Sequence, residues 1–421
     1  MPKEINLNEI PNLISKNMKI YMPNCGGESL VIADLIQRNP LCLDNVHLIG
    51  VWIPGVNNID YAGLNETAKA TTFFVTPALK KTFLSGKTSY VPLHYSDVTP
   101  YLRSLEYDLT FLQLTPPNSD GLCSFGVAAD FPPSVFDKSK KIVAHINPSM
   151  PFPPNSPLIK FSDLDYFFEK DHDVLEYDIG VANDPLIKLG QNVASLIGDG
   201  DTVEIGIGKI QSTVLEPLKN RRNLSIHGGM ICDPLIDLYN SGAISKLSKN
   251  HQPITTGVAV GTKKLYDFVA DCHDIFFKPV TYTHNIDVLS SIDNLIAINS
   301  AIEVDLLGQA NAEMINGTQV SGGGGLVDFL RGGRKSKNGK AIIALVSTTS
   351  DGKKSRIVSD FAQNTISTVP RADIDFVVTE NGIADLRNKS TSERTDELIY
   401  KASAPQFISE LEEARKKIPG M

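Results

Sequence analysis

The feature that most constrains this chain is an alternation along its length: apolar runs of strand length are separated by amphipathic stretches of helix length. MKIYMP (18–23) is followed by ESLVIADLIQR (28–38) and VHLIGVWI (46–53), and further on come YDLTFLQL (107–114) and KKIVAHINP (140–148). Parallel strands need a crossover and a helix supplies it, so this alternation predicts an α/β architecture with mainly parallel sheet. The proline-rich segment 150–160, MPFPPNSPLIK, cannot lie inside a helix and is expected as a surface excursion. A second round opens with PLIKLGQNVASLI (185–197), GDGDTVEIGIGK (198–209) and QSTVLEPLKN (211–220), read as helix, turn, strand, glycine turn and helix. Two α/β domains are therefore expected, 1–185 and 186–421, in a chain long enough for two cores of ordinary size.

Charge narrows the class of partner. A net charge of −8 and the lack of any Lys/Arg run argue against nucleic acid, which needs a basic face. The opening MPKEINLNEI has no apolar core behind basic residues, and no charge-free apolar stretch reaches the roughly 18 residues of a membrane span. The expectation is a cytoplasmic chain without a membrane partner. The five cysteines, Cys25, Cys42, Cys123, Cys232 and Cys272, are scattered and contain no C-x-x-C pair, so they read as reduced thiols. Cys232 follows a glycine-containing turn and is a candidate nucleophile, but a buried structural thiol is the preferred reading. With no ligand cluster and no full dinucleotide fingerprint, neither a metal nor a nicotinamide or flavin cofactor is expected.

Two glycine clusters carry the chemical signal. Gly206-Ile207-Gly208 follows a strand, where glycines let the backbone turn sharply and bring N–H groups close to a ligand, although a purely structural turn is equally open. The second, Ser321-Gly322-Gly323-Gly324-Gly325-Leu326-Val327-Asp328-Phe329, lies between apolar patterns that leave little for a flexible linker to link. It is expected as a ligand-facing loop.

Several further segments make the sequence recognisable. Gly261 to Phe268 (GTKKLYDF), Asn299 to Asn311 (NSAIEVDLLGQAN), the glycine loop, Ser355 to Val358 (SRIV), Val377 to Leu386 (VVTENGIADL) and Ser392-Glu393-Arg394 resemble the 4-hydroxybutyrate and butyrate CoA-transferases. These belong to the acetyl-CoA hydrolase/transferase family. Pro116-Pro117, Asp120-Gly121, Cys123 to Gly126 and Asn147 to Pro151 extend the resemblance through the first half. It implies a homodimer of two-domain chains with the active site in the interdomain cleft. It also implies a glutamate that attacks the acyl-CoA to give an acyl-glutamyl anhydride and then a glutamyl-CoA thioester. The glycine loop resembles the family's GxGGxxDF motif, whose backbone N–H groups stabilise the thioester oxyanion. Gly322, Gly324, Gly325, Asp328 and Phe329 match it, Leu326 replaces a common glutamine, and Gly206 and Gly208 are assigned to the same CoA and oxyanion side.

The chain departs from this pattern where the chemistry should be. The family segment that carries the glutamate is here Ile226-His227-Gly228-Gly229-Met230-Ile231-Cys232-Asp233, so Gly229 stands at the nucleophile position. A neighbouring asparagine is replaced in Tyr282-Thr283-His284-Asn285 by His284. His284 is the candidate general base, with His227 beside it and His145 as a further candidate, whereas His94 reads as an ordinary histidine. Glu303, Glu28 and Glu204 are weak candidates for a replacement nucleophile. Losing the glutamate is expected to vacate volume that an acceptor could enter. The function expected is transfer of an acyl group from a CoA thioester, bound as substrate, directly to a non-CoA small-molecule acceptor, with water as acceptor making the enzyme a hydrolase. The alternatives are conventional CoA transfer through another carboxylate and acyl-CoA binding without turnover.

Overall fold

The strand-length runs of the first half pair side by side, in parallel throughout. In the computed structural model, which describes residues 1–206, 208–246 and 252–418, β1 (Lys3–Glu4), β2 (Lys19–Met22), β3 (His47–Gly50), β4 (Lys69–Thr72), β5 (Thr88–Tyr90), β6 (Leu109–Leu114), β7 (Ile142–Ile146) and β8 (Tyr166–Glu169) form one sheet. Its order is β1-β8-β7-β6-β2-β3-β4-β5, and each neighbouring pair runs parallel. Strands buried on both faces read as continuous apolar runs, and β6 and β7 are buried at every position. Helix α1 (Leu30–Arg38) begins at Ser29, whose Oγ accepts from the Ile32 amide. It packs Ile32, Ala33 and Ile36 into a core shared with Ile20, Leu48, Leu109, Phe111 and Trp52.

The second sheet is built on the same plan. β9 (Thr202–Ile205), β10 (Ser225–His227), β11 (Leu295–Ser300), β12 (Lys340–Ala344), β13 (Phe376–Thr379) and β14 (Gly382–Asp385) follow the order β10-β9-β11-β12-β13-β14. All pairs are parallel except the hairpin β13–β14. Helix α2 (Lys209–Leu218) follows β9, and α3 (Leu326–Lys335) follows the glycine loop. Val327 and Leu330 of α3 lie in one core with Ala297, Ala341 and Ile343. Among the described residues no helix is long and apolar enough to cross a membrane.

The division into compact units is not a single cut near residue 185. The first unit comprises Met1–Asp178 together with Thr255–Thr283 and Val320–Gly324; the second takes Ile179–Ile254, His284–Gln319 and Gly325 onward. The returning segment is stitched into the first unit by backbone bonds: Ala129 N–H to Gly257 O (2.9 Å), Ala259 N–H to Val127 O (2.8 Å) and Val280 N–H to Asp130 O (2.9 Å). Such long-range pairing has no local signature in sequence.

Candidate active site

In open parallel sheets ligands gather at the carboxyl ends of the strands, and in the second unit that end is lined by glycine. β9 runs into Gly206; Ile207 lies outside the described residues; Gly208 (φ +119°) opens α2. β10 runs into Gly228 and Gly229. A Cβ on Gly228 would stand 2.9 Å from the Ile205 carbonyl oxygen, so glycine is what lets the two strand ends approach.

Gly229 is a glycine for a different reason. Its φ is not in the left-handed region, so its backbone suits any residue. A Cβ there would stand 2.9 Å from His284 Cε1 and 3.1 Å from Nε2. On the other side, a Cβ on Gly325 (φ −85°) would overlap His284 Nε2 and stand 2.5 Å from its Cδ2. The imidazole therefore fills a slot whose two walls are glycine Cα atoms, and the Phe329 ring closes it at a centroid distance of 4.5 Å. This corrects the expectation that loss of the glutamate vacates volume: the imidazole occupies the space where a side chain at 229 would begin.

His284 is 3 % exposed, and burial, followed by the nearby His227, pulls its pKa down to about 3. It is a neutral imidazole across the physiological range. Gly325 is the N-cap of α3, so the ring lies against a ten-residue helix's N-terminus, whose positive end further disfavours an imidazolium. His227 is buried on β10. The register pairs Val203 with Ile226, which sets Glu204 level with His227 on the neighbouring strand. Glu204 is 2 % exposed; its Oε2 accepts from Ile298 N–H (3.1 Å) and Asn299 Nδ2 (2.7 Å). Burial nevertheless raises its pKa to about 8, so the carboxyl is protonated near neutrality. An acid inside the otherwise apolar TVEI strand is the sequence signal for this buried carboxyl.

His145 lies in the first unit, on β7. It stacks on Phe168 (4.8 Å, 10°). Its Nε2 donates to Lys170 O at 2.7 Å, which leaves Nδ1 to accept from the Ser29 hydroxyl at 2.8 Å. Both ring nitrogens are thus committed, and burial lowers its pKa to about 4. These bonds hold the Ser29 N-cap of α1 in place.

The glycine loop divides in two. Gly322 and Gly324 pack on the first unit: a Cβ on Gly322 would overlap the Phe73 carbonyl oxygen, and Gly324 adopts φ +53° while its carbonyl accepts from Tyr95 N–H at 3.0 Å. Gly325 belongs to the second unit and opens α3. The other acids weighed as nucleophiles have structural partners. Glu28, buried, accepts from Asn57 Nδ2 (2.8 Å) and Tyr61 Oη (2.7 Å), and Glu303 accepts from Asn311 Nδ2 at 3.0 Å. Cys232 is buried and its thiol is pushed up to about 12, so it keeps its proton. Among the described residues no group of three or more His, Cys, Asp or Glu could hold a metal ion.

Known proteins place this geometry in context. The acetyl-CoA hydrolase/transferase N-terminal domain matches residues 2–176, and the C-terminal domain of the same family matches residues 261–415. The 4-hydroxybutyrate coenzyme A transferase of Clostridium kluyveri is 35% identical over 411 residues, 96% of this chain and 95% of the relative. RipA from Yersinia pestis superposes with a TM-score of 0.91 at 26% identity, covering 99% of this chain and 97% of its own. A 4-hydroxybutyrate CoA-transferase from Porphyromonas gingivalis gives a TM-score of 0.81 at 30% identity with the same coverage. On both sequence and fold, the chain belongs to the acetyl-CoA hydrolase/transferase family.

Proposed function

We propose that this chain is an acyl-CoA-dependent enzyme that passes the acyl group directly from CoA sulfur to a non-CoA small-molecule acceptor, with His284 meeting the acceptor. The observation that carries this reading is the filled slot: with the His284 imidazole between Gly229 and Gly325, there is neither a carboxylate at 229 nor room for one. The family's covalent route needs that carboxylate.

In the proposed step the acceptor H–X attacks the thioester carbonyl carbon while neutral His284 takes its proton. The C–S bond then breaks, and the proton passes to the departing sulfur, giving acyl–X and CoA thiol. The positive end of the α3 N-terminus suits the carbonyl oxygen as it becomes an oxyanion. A buried imidazole holds an acquired proton weakly, which favours handing it on to the thiolate over retaining it. Conventional CoA transfer through Glu204 is disfavoured by the same physics, because a carboxyl raised to about 8 is protonated and a poor nucleophile near neutral pH.

The test is to incubate the protein with acyl-CoA thioesters and follow CoA thiol release with and without hydroxyl, amine or carbon-acid acceptors, alongside borohydride trapping. Thiol release with no reducible glutamyl-CoA adduct is expected. An adduct on any glutamate peptide would restore the covalent route, and CoA binding with no thioester turnover would sink the enzymatic reading.

A further inference from the structure

The amino ends of β12 and β13 lie at the opposite end of the second sheet from Gly206 and Gly229, and there a cavity of about 330 Å³ opens. Its charged lining is Arg334, Arg387, Arg394 and Asp375. Three guanidinium groups line it with one carboxylate, and Asp385, outside the lining, pairs with Arg387, so two of the three arginines have a carboxylate partner and Arg394 has none. The single carboxylate is already committed, since Asp375 Oδ1 accepts from Arg334 Nε (3.1 Å) and Oδ2 from the Ala341 amide (3.0 Å).

The arginines are held in place but not neutralised together. Arg387 forks onto Asp385 (2.9 and 2.8 Å) and lies over the Phe376 ring at 4.3 Å. Arg394 has no carboxylate among its hydrogen-bond partners: its two terminal nitrogens donate to the carbonyls of Leu386 (2.9 Å) and Arg371 (2.6 Å), and its Nε is buried with no acceptor. Burial, and then the like charges of Arg334 and Arg371, push its pKa down from the usual arginine range. Like charges gathered around a cavity are a standing electrostatic deficit that an anion would relieve.

We propose that this cavity is a binding site for a small dianion bearing phosphate or paired carboxylate oxygens, held by the two terminal nitrogens of Arg334 and by Nη1 of Arg387, with Arg394 adding its charge. Guanidinium matches both ligand types through paired N–H···O bonds, and the volume suits a small metabolite rather than a nucleotide or a peptide. The site is separate from the proposed acyl-transfer site and does not depend on it. Arg334 lies in the last turn of α3, and Phe329, which closes the His284 slot, lies in the same helix. An anion on Arg334 therefore loads the helix that shapes the candidate active site.

The test is calorimetric titration of the full-length protein with inorganic phosphate and, separately, with succinate, at constant ionic strength. It is repeated with saturating CoA and with Arg387→Gln, Arg387→Lys and Arg334→Gln. Saturable binding of at least one probe is expected, not displaced by CoA and weakened at least about tenfold by each Gln variant, since charge-assisted hydrogen bonds are lost. Arg387→Lys keeps the charge and the fold but removes the Nη1 donor, so it too should weaken binding. Response to phosphate alone or to succinate alone identifies the source of the oxygens. No saturable binding of either probe, binding displaced by CoA, or unchanged binding in the folded Arg387→Lys protein overturns the assignment.

Discussion

Adding one methyl group at Gly229 tests the slot directly. The backbone there accepts alanine, so without the imidazole Gly229→Ala should be neutral or stabilising by about 0.4–1 kcal/mol through the unfolded chain. With His284 present the new Cβ stands 2.9 Å from Cε1 and 3.1 Å from Nε2, well inside the roughly 3.5–4.0 Å of a favourable carbon contact. The ring cannot retreat, because Gly325 and Phe329 close its other sides. Overpacking of this kind costs about 1–3 kcal/mol. The informative quantity is therefore the coupling: in a His284→Ala background the same alanine should cost nothing, giving a coupling of about 1–3 kcal/mol in the rescuing direction. Urea denaturation of the four proteins near neutral pH measures it. Additivity within about 0.5 kcal/mol would show that the two side chains do not share the space and would remove the ground for the proposed function.

Other consequences are equally open to measurement. His284→Ala should lower acyl transfer by roughly 10²- to 10⁴-fold while CoA binding is kept; full activity would place the chemistry on other residues. Because His284 is neutral above about pH 4, the kcat/KM profile should show no His284 inflection near the usual histidine value, and an inflection that vanishes in His284→Ala would contradict this. Glu204 should make stability fall with rising pH. Its carboxyl is raised in the folded state, so its contribution is complete below the unfolded value and is lost as pH rises through about 8. At about 1.4 kcal/mol per pH unit, the gap from 4.5 to about 8 bounds the effect at about 5 kcal/mol. Gln keeps the acceptor for Ile298 and Asn299 without titrating, so the stability of Glu204→Gln relative to the parent should climb between about pH 5 and pH 9, and a flat difference would refute the assignment. His145→Ala should destabilise by about 2–4 kcal/mol, through two lost hydrogen bonds and a lost stack, with kcat unchanged in the folded fraction.

The parallel α/β plan was legible because strand and helix periods are local, and β2, β6 and β7 fall inside the apolar runs that announce them. Membership of the second unit was not. Thr255–Thr283 follows strands that belong to one unit yet pairs with Val127 and Asp130 of the other, and nothing in its composition marks that change of partner. Resemblance singles out Gly229 and His284 separately, but the close approach of the imidazole to Gly229 depends on a tertiary contact between segments distant in sequence. The partners of His145 were hidden for the same reason: Ser29 and Lys170, which commit its two nitrogens, come from separate parts of the chain. In sequence Glu204 is only a carboxyl and so a candidate nucleophile; the burial that keeps it protonated is visible only in the fold.

The interleaved make-up of the first unit bears on how the protein is made. A chain emerging from the ribosome completes β8 long before Gly257, Ala259 and Val280 arrive to bond Ala129, Val127 and Asp130, and longer still before Ser321 offers its carbonyl to Val75. Through that interval the N-terminal sheet exists without its last partners, while most of the second sheet is also unfinished. The first unit is therefore completed only after residues 320–324 have been made, and a fragment ending near residue 185 should behave as a folding intermediate rather than as a domain.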